Sequence, residues 1–340
     1  MKIVRLRQPA SLENLQIGSA ERRPPGPGEV VVRIHASSLN YHDYAVVMGQ
    51  IVAADGRIPM SDGAGEVVDV GPPLGGLVEQ PDFKVGDAVV STFFPRWLDG
   101  PVSARARVGV PGDHIDGYAC EYATVPALAL TRSPAGYTHA EAATLPCAAV
   151  TAWRALMVNG PVQPGETVVV QGTGGVSVFA LQFAKAAGAT VIATSSSDEK
   201  LDRLRALGAD HLINYRETPK WARSVLEFTD GEGADHVVEV GGSGTLGQSL
   251  HACRVGGHIS MIGVLTGVQG PVSTATVMSK NIRLQGISVG SRRHQLDMVR
   301  AIEATGLRPV MDRHFPLDAI AEAFRHQASG QHFGKIILDV

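Results

Sequence analysis

The chain has 340 residues, 44% hydrophobic and 19% charged, enough apolar material to bury the cores of two domains and too much for a disordered chain. Lys and Arg total 30 against 33 Asp and Glu, so the net charge of -3 excludes a global field that would hold nucleic acid or an anionic membrane. The three cysteines, Cys120, Cys147 and Cys253, are widely spaced and form no CxxC pair, which excludes a disulfide scaffold and a metal knuckle and fits a reducing cytoplasm.

Residues 1–9 (MKIVRLRQP) carry no long apolar stretch, and no run approaches the ~20 apolar residues of a spanning helix. A soluble, cytoplasmic chain with no membrane partner is expected. To about residue 127 the sequence reads as short strands between turns. Val30–Ala36 follows the turn Pro24–Gly28, and Gly65–Gly71 and Val85–Val90 repeat the pattern of β-branched runs punctuated by glycine. This spacing predicts a small, mostly β barrel or sandwich, with one short helical stretch near 43–48.

From about residue 139 the grain changes to alternating strand and helix. Strands are predicted at 167–171, 190–194, 211–214, 235–240, 258–262 and 282–287, with helices near 176–187, 198–207, 218–228 and 244–253. Four of the strands are continuous apolar runs, as a parallel sheet covered on both faces requires. The order predicts a doubly wound α/β sheet. The tail adds helices near 292–304 and 317–328 and a strand at 335–338.

The sharpest motif is Val168-Val169-Val170-Gln171-Gly172-Thr173-Gly174-Gly175-Val176-Ser177. A strand runs into Gly-x-Gly-x-x-Ser, and a helix follows with Val176, Phe179, Ala180 and Phe183 on one face. Gly172 permits the tight turn, and Gly174 lets the backbone approach a pyrophosphate. The helix terminus then offers free N–H groups and a positive dipole to that anion. Ser177 stands where the fingerprint has its third glycine, and it is still small. An NAD site would place Asp or Glu about 20 residues on. This chain has Ser195-Ser196-Ser197, with Lys200 one turn beyond Ser196. Hydroxyls and an ammonium suit a 2′-phosphate, so NADP(H) is the expected cofactor.

The pattern resembles the zinc-independent branch of the medium-chain dehydrogenase/reductases, the quinone oxidoreductase-like group that includes zeta-crystallin. The stretches that carry the resemblance span nearly the whole chain: Ser38–Asp43, Asp62–Val67, Lys84–Asp87, Ala142–Pro146 with Thr151–Trp153, the glycine turn, Ala206–Asp210 with Ile213–Tyr215, Gly256–His258, and Phe333–Ile336. The resemblance implies a GroES-like barrel domain (1–127 and 292–340) and a Rossmann dinucleotide-binding domain (128–291). It implies that Ser196, Lys200 and Tyr215 hold the 2′-phosphate. Further cofactor contacts are implied at Gly241, Gly263, Val264, Leu265, Val289, Phe333 and Lys335, and a homodimer joined along Asn281–Ile287.

Alcohol dehydrogenases of the superfamily bind a catalytic zinc with Cys, His and Cys. Here those positions hold Asn40, Ser61 and Cys147, and residues 91–119 contain none of the four cysteines of the structural-zinc lobe. One thiolate cannot make a three-ligand site, so no metal is expected. Without a Lewis acid, reduction of an electrophilic acceptor is easier than alcohol oxidation. The expected activity is NADPH-dependent hydride transfer to a quinone or an α,β-unsaturated carbonyl. Candidate catalytic residues are Asn40, Tyr41, His42 and Thr151. Two other readings accompany this one: an alcohol or aldehyde dehydrogenase, and a cofactor-binding structural or RNA-binding protein of zeta-crystallin type. Phe93–Gly100 is either a wall for substrate or a lobe packed on its own core, and Arg105 and Arg107 beyond it could meet an acidic substrate or the phosphates of coenzyme A.

Overall fold

The computed structural model describes residues 1–75 and 80–340. In chain order the first elements are β1 (Lys2–Leu6), β2 (Leu15–Ser19), β3 (Glu29–Ser38), α1 (Tyr41–Val47), β4 (Gly63–Val70), β5 (Ala88–Ser91), β6 (Tyr122–Pro126), β7 (Leu130–Arg132) and α2 (His139–Ala143). There follow α3 (Val150–Trp153), β8 (Thr167–Gln171), α4 (Gly175–Ala186), β9 (Thr190–Ser195), α5 (Asp198–Ala206), β10 (His211–Asn214), α6 (Trp221–Phe228), β11 (Ala234–Glu239), α7 (Leu246–Ala252), β12 (Cys253–Met261), α8 (Thr274–Ser279) and β13 (Arg283–Gly286). The tail forms α9 (Arg292–Thr305), β14 (Met311–Pro316), α10 (Ile320–Ala328) and β15 (Lys335–Asp339). No helix among the described residues is long and apolar enough to cross a membrane.

The chain divides into two compact units, Met1–Val150 with Val289–Val340, and Thr151–Ser288. The first crossing lies beyond the expected 127. The reason is α2, whose Ala142 and Ala143 pack with Ala36, Ala64, Val90 and Ile337 of the barrel strands. A stretch that reads as the start of the helical half therefore belongs to the β half.

In the first unit the sheet order is β14-β15-β3-β4-β5-β7, with β6 also on β3 and β1-β2 as a separate antiparallel ladder. Alternation in β3 turns Val30, Val32 and Ile34 toward one core with Leu130, Phe324, Ile336 and Leu338. β3 and β4 approach so closely that a Cβ on Gly65 would lie 1.9 Å from the Arg33 carbonyl oxygen, which is why this strand begins in a glycine-rich run. The last strand, β15, is central. It pairs antiparallel with β3, Ile337 opposite Ser38, and parallel with β14.

The second unit is a six-stranded, all-parallel sheet in the order β10-β9-β8-β11-β12-β13. β8, the first strand, lies in the middle. Successive strands go first to one side and then to the other, so the order reverses between β8 and β11. In such sheets ligands sit outside the carboxyl ends of the strands at this switch point. The strands are buried on both faces, as their unbroken apolar runs demand. Val169, Ile192, Val237 and Ile259 meet Trp221, Val225, Leu246 and Leu250 of the helices.

Candidate functional site

Two constellations stand out, one in each unit. In the parallel-sheet unit the chain leaves β8 at Gln171 and turns through Gly172, whose φ of 72° only glycine adopts without strain. Beyond its own neighbours, nothing lies within 4 Å of where a Cβ would sit on Gly172 or Gly174. The space before the turn is open. The first bond of α4 runs from Val178 N to the Gly174 carbonyl, so the amides of Gly175, Val176 and Ser177 have no acceptor in their own helix. Gly172 and Gly174 thus face open space with a helix N-terminus behind them, an anion cradle. Ser177 is buried, and its hydroxyl donates to the Gln171 carbonyl at 2.6 Å. In place of the usual glycine contact, a hydrogen bond ties helix to strand.

Across the switch point, Glu239 ends β11 fully buried. Its carboxylate accepts from Gln171 Nε2 (2.9 Å), Gly241 N (2.8 Å), Gly242 N (2.9 Å), Thr245 Oγ1 (2.5 Å) and the Ser249 hydroxyl. Five donors make a buried carboxylate acceptable, and they fix the loop that faces the cradle. The sequence reading passes over Glu239. Its signal is an acid closing a run of buried β-branched residues immediately before two glycines. Gly241 packs against the Thr245 side chain and Gly263 against backbone here. A Cβ would meet Thr245 Oγ1 at 2.2 Å or the Val240 carbonyl oxygen at 2.0 Å. Val264 and Leu265, beyond β12, are exposed.

The tip of β9 meets the tip of β10. Ser195 stands opposite Asn214, and Tyr215 N donates to the Ser195 carbonyl at 3.0 Å. Ser197 caps α5, accepting from Lys200 N, while Ser195 Oγ accepts from Ser197 N. This places Ser195, Ser196, Lys200 and Tyr215 around one corner. The acid at that corner, Asp198, is engaged by Asn214 Nδ2 at 2.8 Å. Thr151 is buried in α3.

The barrel unit holds the second constellation. Asn40, between β3 and α1, is buried and its amide is spent. Its Oδ1 accepts from the Lys335 ammonium, and its Nδ2 donates to Asp62 Oδ2 at 2.9 Å and to Ser61 Oγ at 3.3 Å. Lys335 also donates to the Leu39 carbonyl at 2.5 Å. Asp62 further accepts from Cys147 N at 3.4 Å, and its Oδ1 has no partner among the described residues. Burial pushes the Asp62 carboxyl up to about 7, against the pull of Lys335, and burial likewise lowers the Lys335 ammonium against Asp62. Cys147 is partly exposed, and burial of its thiol beside Asp62 raises it well above the ordinary thiol value. Lys335 and Phe333, expected at the cofactor, lie in the barrel core. Phe333 N donates to Asp312 Oδ1 at 3.0 Å. Val289 stands at the boundary with φ 45°, a strained value for a β-branched residue.

One turn along α1, His42 is mostly buried. Its Nε2 lies 3.0 Å from Asp113 Oδ2 and its Nδ1 3.5 Å from Asp43 Oδ1. Burial alone would lower its pKa; the hydrogen bond with Asp113 and the nearness of Asp43 outweigh this and raise it to about 9. Asp43 also accepts from Asn40 N and Ser61 N, at 2.9 and 2.8 Å. His42 thus stands between two carboxylates, hydrogen-bonded to Asp113 and 3.5 Å from Asp43. Tyr41 is exposed, and no group among the described residues hydrogen-bonds its hydroxyl. Phe93, Phe94 and Trp97 are buried against one another, with Trp97 edge-on to His294 at 5.7 Å, so this lobe is packed on its own core. Asp62, Asp113 and Asp43 complete the site, and sequence reasoning gives none of them this role. Among the described residues no three His, Cys, Asp or Glu side chains converge as a metal-ligand group.

Comparison with known proteins matches the family model "Alcohol dehydrogenase GroES-like domain" over residues 26–135 and "Zinc-binding dehydrogenase" over 175–304. A zinc-type alcohol dehydrogenase-like protein of Schizosaccharomyces pombe is 45% identical over 92% of this chain and 91% of its own length. The crystal structure of an NAD-dependent alcohol dehydrogenase superposes with a TM-score of 0.90 at 33% identity, covering 100% of both chains. The 2-octenoyl-CoA carboxylase reductase CinF, solved in complex with NADP and 2-octenoyl-CoA, is 25% identical with a TM-score of 0.88, covering 99% of this chain and 87% of that one.

Two outcomes follow from the barrel site. Replacing Lys335 by Met takes the nearby cation away from the buried Asp62 carboxylate and leaves the Asn40 oxygen without its donor, and denaturant titration should show a loss of about 3–5 kcal/mol. Adding Asp62→Asn should recover part of it; an undiminished loss in the double variant would mean that Asp62 is not the partner. For His42 the folded pKa lies above the unfolded 6.5, so its ion pairs stabilise fully below about pH 6.5 and fade as pH rises through about 9. The gap in thermal midpoint between wild type and His42→Gln should hold steady below pH 6.5 and close above pH 9. A gap that stays constant across that window would refute the ion-pair assignment.

Proposed function

The chain belongs to the medium-chain dehydrogenase/reductase family, and from that premise we propose that it is a cytoplasmic NADPH-dependent, zinc-free reductase of quinones or α,β-unsaturated carbonyls. The observation that carries this reading is the Lys335–Asn40–Asp62 chain. Where alcohol dehydrogenases of the superfamily place a first zinc ligand, Asn40 has its oxygen on an ammonium and its nitrogen on a carboxylate. A zinc ion here would face the Lys335 cation and find one thiol, itself held protonated by burial. The residues present do not fit the metal, and no step is routed through one.

The dinucleotide fits. The open space before Gly172 and Gly174 accepts a pyrophosphate at the first turn of α4, and Ser196, Lys200 and Tyr215 offer two hydroxyls and an ammonium to a 2′-phosphate, with Asp198 engaged by Asn214. Bound NADPH supplies the hydride. The acceptor gains that hydride at carbon and a proton at oxygen or at the neighbouring carbon, so the chain has only to orient the acceptor, stabilise a developing oxyanion and pass one proton. His42 holds Asp113 through Nε2, and its Nδ1 lies 3.5 Å from Asp43. Tyr41, with its hydroxyl unengaged, is the side chain placed to donate, in exchange with water. That CinF holds NADP beside a 2-octenoyl thioester supports an activated double bond as the acceptor class. The edge strand β13, paired on one side only, supports homodimer formation.

A zinc-dependent alcohol dehydrogenase is the second reading, favoured by the name of the yeast relative. Metal analysis of purified protein, with assays on 2-alkenals, quinones and primary alcohols, separates the two. NADPH oxidation by alkenals or quinones that persists after chelation is expected. Stoichiometric zinc together with alcohol oxidation would overturn the proposal. For the cofactor, Lys200→Ala should raise the KM for NADPH by roughly tenfold, the effect of one lost charged contact, with little change for NADH. Equal changes for both cofactors would sink the phosphate assignment.

A further inference from the structure

The lobe from Thr92 to Gly117 carries a charge pattern that the reduction chemistry does not use. Arg96, Arg105 and Arg107 are all exposed, and no carboxylate of the described residues pairs with any of them. The acids nearby in sequence are occupied. Asp99 Oδ1 accepts from Gly100 N at 2.6 Å, Asp113 holds His42, and Asp116 Oδ1 accepts from Arg57 Nη1 at 3.0 Å. Elsewhere in the same unit, exposed arginines such as Arg23, Arg132 and Arg308 do find acidic partners.

Contacts set Arg96 and Arg107 on the same lobe. Arg107 lies over the Phe94 ring at 6.0 Å, and a Cβ on Gly109 would be 3.7 Å from Arg96 Nε, so Arg96 runs beside the backbone two residues past Arg107. Arg105 and Arg107 close the short 3-10 turn between them. The patch also connects to the site already described. His42 meets the Phe93 ring edge-on at 5.1 Å, Phe93 meets Phe94 edge-on at 4.9 Å, and Phe94 supports Arg107. An aromatic ladder thus links Arg107 to His42. Between them Leu98, Val102 and Val108 expose apolar surface. Unpaired guanidiniums interleaved with apolar side chains match a ligand that offers phosphates together with a flat or apolar body.

We propose that the Arg96–Arg105–Arg107 lobe is an anion subsite that binds the phosphate-bearing tail of the acceptor, and that the substrate class is an α,β-unsaturated acyl thioester of a phosphorylated nucleotide carrier such as coenzyme A. The proposal rests on the reductase reading for the reacting end, and on the lobe alone for the tail. Association is then salt-sensitive, because exposed charge contacts are screened.

The test compares crotonyl-CoA with crotonyl-pantetheine, which has the same reacting thioester and lacks the nucleotide phosphates, at saturating NADPH. The variant is Arg96→Gln/Arg105→Gln/Arg107→Gln. Wild type should favour crotonyl-CoA in kcat/KM by roughly tenfold to a hundredfold, as three exposed charge contacts allow. The triple variant should lose that preference through a raised KM for crotonyl-CoA, with kcat and the KM for crotonyl-pantetheine unchanged. A preference that survives in the variant, or wild type that treats the two thioesters alike, overturns the subsite and leaves the reductase reading intact. Calorimetric titration of crotonyl-CoA into both proteins covers the opposite failure. Arginine-dependent binding without turnover would sustain the subsite and sink the acceptor chemistry, and equal binding to both proteins would sink the subsite.

Discussion

One buried cation organises the barrel site. The Lys335 ammonium, removed from water on the strand β15, needs acceptors, and it finds the Leu39 carbonyl and the Asn40 amide oxygen at the point where β3 gives way to α1. Holding the oxygen of Asn40 dictates which way its NH2 points, and it points at Asp62 and Ser61. The charge balance is local: one ammonium, one carboxylate, and an amide that is donor to one and acceptor to the other. Asp43 extends the network by accepting from the backbone of both Asn40 and Ser61, and through His42 it reaches Asp113. Helix, strand and lobe are thereby indexed to one another by polar contacts in a region whose other contacts are apolar.

A metal site asks for soft or anionic donors with their lone pairs free. Here the Asn40 oxygen is held by Lys335, and burial raises the Cys147 thiol well above its ordinary value. The parallel-sheet unit is conservative by comparison, since its requirement is a phosphate cradle and it meets that with backbone. Ser177 and Glu239 show how such a cradle is stiffened. The one fastens α4 to the end of β8, and the other fastens the loop after β11, so both walls of the switch point are anchored by groups that do not face the ligand.

Much of this was legible in the residues. β8, β10 and the helix α5 fall within a residue of their expected positions, because buried parallel strands leave unbroken apolar runs and α5 is announced by a serine cap. The glycine turn was legible because each glycine has a backbone reason. What the sequence concealed was partnership across distance. Lys335 and Asn40 lie 295 positions apart, and Asp113 and His42 lie 71 apart. Nothing in a linear pattern says which buried lysine meets which amide. A weaker signal did exist: a lysine opening the fully buried run Lys335–Leu338 must be compensated somewhere. The alanine-rich α2 was misassigned to the other unit for a similar reason, since small side chains suit close packing on a sheet as well as they suit a helix.

The central position of β15 has a temporal consequence. During synthesis the parallel-sheet unit has all its strands once Ser288 has emerged, and it can fold while the ribosome is still at work. The barrel cannot. The interior strand β15 and its buried cation arrive together, after translation has passed residue 335, although most of the barrel's residues were made first. Until then the Asn40 and Asp62 side chains face a gap between β3 and nothing, and the nascent barrel presents an open sheet edge of the kind that chaperones cover. The first half of the chain to be made is the last to be finished.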